Sequence, residues 1–127
     1  MTPSEIIKQD ASRQGYNADV VLRKIDAATK NGGALLLQEN DSVLLLVALP
    51  GNAAEAVLYT ADSPLNFKDS LSKFLAKIRS SDISKIYGKS ESPEMTQALQ
   101  SLGIKIQQSD NPKFEWMISS DQGLGNI

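Results

Sequence analysis

The chain has 127 residues, a mass of 13.7 kDa, a formal charge of -2 and a pI near 5.1. That suits one compact domain and gives no general attraction to nucleic acid. It has no cysteine and no histidine, which excludes disulfides, a thiolate nucleophile and cysteine-held metal, and removes both the commonest neutral-pH base and the commonest zinc ligand.

Thr2-Pro3-Ser4-Glu5 opens the first helix: Thr2 caps free amides, Pro3 stands where no amide partner is needed, and Glu5 closes a capping box. This helix should end near Gly15, and a second should run from the N-cap Asn17 to about Lys30, with Val21, Leu22, Ile25, Ala28 and Thr29 on its packing face. Gly32-Gly33 stops helical structure. Ala34 to Glu39 and Val43 to Leu49 then read as a hairpin about Asn40-Asp41-Ser42, and Ala54 to Thr60 as a third strand after Pro50-Gly51-Asn52. The unbroken apolar run Leu44 to Val47 predicts a central strand covered on both faces. Val43 to Leu49 is far too short to span a membrane, and no basic leader followed by an apolar stretch opens the chain, so a cytoplasmic product, or a viral one made in the host cytoplasm, is expected.

Phe67, Leu71, Phe74, Leu75 and Ile78 form the stripe of a third helix that should seal one side of the sheet, with Thr60 to Phe67 as the loop before it and the helix start at Lys68-Asp69-Ser70. The basic residues Lys68, Lys73, Lys77, Arg79, Lys85 and Lys89 read as a solvated helix face and its flanks. Asp82 to Tyr87 is a short strand. Ser92-Pro93-Glu94 starts a fourth helix, with Met95, Ala98, Leu99 and Leu102 facing inward and Gly103 stopping it. Ile104 to Gln108 and Phe114 to Ser119 are the last strands. Phe114, Trp116 and Ile118 are expected to share one face, and the terminal strand should be open to pairing with another chain. Residues 121–127 read as a flexible tail.

The sequence therefore predicts an α/β (α+β) fold: one domain over residues 1–120, order ααβββαβαββ, a mixed central sheet and helices on both faces. That order, with Ala98-Leu99-Gln100-Ser101-Leu102-Gly103-Ile104 running from a late helix into a strand, resembles the GNAT superfamily of GCN5-related N-acetyltransferases over about residues 3 to 119, without the usual first strand. The resemblance implies acetyl-coenzyme A between two splayed central strands, its pyrophosphate on a glycine-rich turn at the start of the third helix. Here Thr60 to Leu75 contains no glycine and includes Pro64, which has no N–H to offer an anion. Leu99 stands where family members often place a proton-donating tyrosine; Tyr87 is the conceivable substitute, and Glu55, which alternates with Tyr59 on one strand face, the conceivable base.

No Walker loop, zinc motif, serine elbow or calcium loop is present; Asn40-Asp41-Ser42 and Asp110-Asn111 read as turn formers, and Asp62 and Asp69 as turn and helix-start charges. The expectation is a non-catalytic protein-binding or structural assembly module with an acetyltransferase-like fold, like degenerate members among bacteriophage virion proteins. It names no catalytic, cofactor or metal residues, and expects protein partners or self-assembly and no membrane role, with a nucleic-acid accessory using Lys73, Lys77 and Arg79 as a third and less favoured reading. The alternative is a divergent acetyl-coenzyme A-dependent N-acetyltransferase acting on an amine.

Overall fold

The structure, a computed structural model, describes residues 1–90 and 92–119; the expected tail at 121–127 lies outside the described residues. Thr2 and Glu5 form the reciprocal capping box of α1 (Pro3–Gln14), which ends at Gly15 in the left-handed region at φ 82. Asn17 caps α2 (Ala18–Lys30) by accepting from the amides of Asp19 and Val20. The strands β1 (Ala34–Glu39), β2 (Ser42–Leu49) and β3 (Ala53–Thr60) form the expected meander. There follow α3 (Pro64–Arg79), β4 (Lys85–Gly88), α4 (Pro93–Ser101), β5 (Gln107–Gln108) and β6 (Trp116–Ser119), so the element order is the one expected.

The six strands make one mixed sheet in the order β1-β2-β3-β4-β6-β5, antiparallel except for β3 against β4. Each face carries its own core. On one side Leu44, Leu46, Ala54, Ile86, Trp116 and Ile118 meet the stripes of α3 and α4 around Phe74, which is 1% exposed. On the other, Val43, Leu45, Val57 and Tyr59 pack on α1 and α2 around Ile6, Ile7 and Ile25. β2 feeds both cores by alternation, which is why its sequence shows no polar face.

Four elements differ from expectation by more than one residue. α3 begins at Pro64 and not at Lys68, because Ser63 accepts from the Asn66 amide and Pro64 occupies the first turn, a start compatible with its missing N–H. β4 is confined to Lys85–Gly88. β5 shrinks to two residues because the amide of buried Ile104 closes the end of α4 on the Leu99 carbonyl and is lost to any ladder. β6 begins at Trp116: the Phe114 amide bonds to the Asn111 carbonyl in a turn, and its ring stacks on Tyr87 at 5.2 Å, on the sheet face opposite Trp116 and Ile118. The terminal strand is also not an edge, since β6 is flanked by β4 and β5; the long open edge belongs to β1.

Candidate functional site

β3 and β4 pair only from Ala53↔Lys85 to Glu55↔Tyr87, after which β3 continues to Thr60 while β4 stops at Gly88. The strands part, and a cleft of about 1180 Å³ opens between them. Leu58, Phe67, Leu71, Met95, Leu99 and Trp116 give it an apolar interior, and Glu55, Lys68, Lys89, Asp10, Arg13 and Asp62 stand along its walls and mouth. A mostly apolar lining with a few polar groups is the composition of small-molecule sites.

Two buried polar nodes close the cleft where β3 ends. Asp10, 1% exposed, lies on the inward stripe of α1 after Ile6 and Ile7. Its carboxylate accepts from Arg13 at 2.7 Å, Tyr16 at 2.7 Å, Gln14 at 3.0 Å and the Thr60 amide at 3.3 Å. Arg13 also reaches the Thr60 carbonyl at 3.4 Å. The register of β2 and β3 turns the Thr60 backbone away from β2, so this Asp-Arg fork supplies the main-chain contacts that a neighbouring strand would otherwise provide.

The second node is Asp62. It accepts from the Ser42 hydroxyl at 2.5 Å, the Ser70 hydroxyl at 2.8 Å and the Asp41 amide at 3.0 Å, tying the hairpin turn to α3. Asn40 completes the tie by donating to Asp69 and Ser70, each at 3.0 Å. The turn residues Asn40, Asp41 and Ser42 are therefore engaged in internal bonds. Asp69, read as a helix-start charge, is held below the usual carboxylate range by the Asn40 hydrogen bond and then by Lys73.

The acetyl-coenzyme A pyrophosphate implied by the resemblance does not fit here. Ser63 takes the Asn66 amide, Pro64 has none, and Asp62 adds a carboxylate immediately before the helix start. Lys68 lines the cleft as an isolated point charge without converging main-chain donors.

Of the residues singled out for acetyl transfer, the structure brings two to the cleft. Glu55 lines it with its side chain only 14% exposed, 3.7 Å from Lys89, so it is not the solvent-facing carboxylate that a strand surface suggests. Leu99 lines it as an apolar wall. Tyr87 faces elsewhere: its hydroxyl donates to Asp110 at 2.6 Å, a bond that together with burial pushes its pKa up, and its ring covers Phe114. Tyr59 packs with the α1 and α2 core, 6.3 Å from Tyr16, and burial raises its pKa too.

The basic run is largely offset: Lys73 pairs with Asp69, Lys77 with Glu39, Lys85 with Asp110 and Lys89 with Glu55. The sequence presents Ser42 as part of a turn and Ser70 as part of a helix start, and Asp10 as one more helix residue; the structure makes all three buried polar groups. Their signal is a polar residue inside an apolar stripe, Asp10 three and four residues after Ile7 and Ile6, Ser70 between Phe67 and Leu71, and Ser42 opening the strand buried on both faces. Comparison of the chain with protein-family models, curated proteins and solved structures finds no match.

Proposed function

We propose that this chain is a non-catalytic protein-binding or assembly module with an acetyltransferase-like fold, of the kind used as a virion component. The sheet order, the helices on both faces and the parting of β3 from β4, the only parallel pair among the described residues, support the GNAT-like reading of the architecture. The observation that carries the non-catalytic reading is the start of α3, where Ser63 and Pro64 leave no converging amides and Asp62 opposes a diphosphate. Tyr87, the conceivable acid, spends its hydroxyl on Asp110 outside the cleft.

The competing reading, a divergent N-acetyltransferase, draws on the cleft itself and on Glu55, a shielded carboxylate on its wall. Calorimetric titration with acetyl-coenzyme A separates the two. The assembly reading expects no heat of binding at millimolar cofactor and a particle mass above that of one chain; saturable cofactor binding by a monomer overturns it.

A further inference from the structure

We infer that β1 is a self-complementary edge through which two copies of this chain join into one continuous sheet about a two-fold axis at Leu36. The inference deepens the assembly reading, on which it rests, by naming the partner and the surface.

The two ends of the sheet are treated differently. At one end β5 is only two residues long, the usual way of denying an edge to other strands. At the other, β1 offers six residues in unbroken register with β2, with no bulge, proline or lysine in Ala34-Leu35-Leu36-Leu37-Gln38-Glu39. Those are standard guards of an exposed edge, and the one charge on β1, Glu39, stands at its end and is paired with Lys77 at 2.8 Å.

The register also fixes which backbone groups are open. The Ala48 amide bonds to the Gly33 carbonyl at 2.9 Å, so Gly33, Leu35, Leu37 and Glu39 exchange hydrogen bonds with β2. The N–H and C=O groups of Ala34, Leu36 and Gln38 then point outward, with no strand partner among the described residues. An antiparallel copy can use all three at once in only one register. Leu36 faces the partner's Leu36, Ala34 faces the partner's Gln38, and the reverse, for about six inter-copy hydrogen bonds.

The side chains agree with that register. Leu35 is 57% exposed in the middle of the strand, on the α3 face that also carries half-buried Leu37. Pairing about Leu36 sets Leu35 directly opposite the partner's Leu37 at a non-hydrogen-bonded position, where cross-strand side chains approach most closely. The exposed leucine of each copy is thus covered by the other. No like charges meet, since Glu39 falls opposite the partner's Gly33. The Gln38 side chain, which donates to the Met1 carbonyl at 2.8 Å, lies with Ala34 and Leu36 on the helix face and leaves the edge itself clear.

The test is the mass of the full chain by sedimentation equilibrium over a range of concentrations. Wild type should reach a two-chain mass. Leu35→Lys, an exposed position where folding demands nothing, should weaken association at least about tenfold. Gln38→Pro removes an outward-facing N–H at an exposed position, together with the surface bond to Met1, and should do the same. Because the chain has no cysteine, Leu36→Cys should cross-link to a covalent dimer under mild oxidation while Leu35→Cys should not.

A strictly monomeric wild type overturns the inference. So does an oligomer that Leu35→Lys leaves intact, although that result would keep the broader assembly reading. A monomer that also binds acetyl-coenzyme A removes both.

Discussion

Asp10 is a carboxylate withdrawn almost wholly from water, and its cost is met by donors from three directions: Arg13 and Gln14 on its own helix, Tyr16 in the turn that follows, and the Thr60 amide at the end of β3. Truncating it takes the acceptor from the half-buried Thr60 N–H, at roughly 1 to 3 kcal/mol, and leaves the Tyr16 hydroxyl with only its longer bond to the Ile7 carbonyl at 3.3 Å. Asp10→Ala should therefore lower the urea midpoint severely, while Arg13→Ala, at a half-exposed side chain, should cost about 1 kcal/mol or less. Equal effects would show that the ion pair, and not the buried acceptor, matters. The same node predicts alkaline behaviour. Burial first, and then the hydrogen bond to Asp10, hold the Tyr16 proton far above the ordinary value of 10. The folded chain keeps a proton that the unfolded chain loses, so this stabilisation is complete below pH 10 and declines as pH rises past it. Tyr59 and Tyr87 are shifted in the same direction. Stability measured from pH 9 to 12 should fall, and Tyr16→Phe should be less stable at pH 9 yet show a shallower fall; an unchanged slope would contradict the assignment.

At the level of elements, what could be read from the residues was what local chemistry dictates. Thr2 with Glu5, Asn17, and Ser92 with Pro93 mark helix starts, because a cap depends on residues within three positions of one another. The start of α3 carries the same Ser-Pro signature at Ser63-Pro64, which the amphipathic stripe beginning at Phe67 overshadows in the sequence. The short strands were least legible, since β4, β5 and β6 are set by tertiary partners: Ile104 is apolar and buried, yet its amide serves α4. The cleft was legible only by analogy, because the parting of β3 and β4 is long-range. Gly88 shows how close that packing is. It pairs with Trp116, and a Cβ built on it would sit 2.0 Å from the indole ring, whose N–H donates to the Ser90 carbonyl at 2.7 Å. Gly88→Ala must push the ring aside and should cost about 1 to 3 kcal/mol. Trp116 is the only tryptophan, so its fluorescence should shift to the red in the folded variant, and an unshifted spectrum at wild-type stability would refute the contact.

Taken whole, the molecule has two separate cores on one sheet and one unguarded edge, and the edge makes its stability a function of its own concentration. An association that exists only between folded copies shifts unfolding by mass action, because unfolded chains carry no β1 edge to pair. A monomer has no such dependence. For a domain of this length the melting temperature should rise on the order of 2 °C for each tenfold rise in protein concentration. Leu35→Lys should flatten that dependence while leaving the melting temperature at high dilution nearly unchanged, because Leu35 is 57% exposed and contributes little to the isolated fold. The comparison separates association from intrinsic stability: a variant that merely weakened the fold would lower the curve at every concentration and preserve its slope. A wild-type curve already flat with concentration would mean that the β1 backbone is left to water, and that the chain joins any larger assembly by another surface.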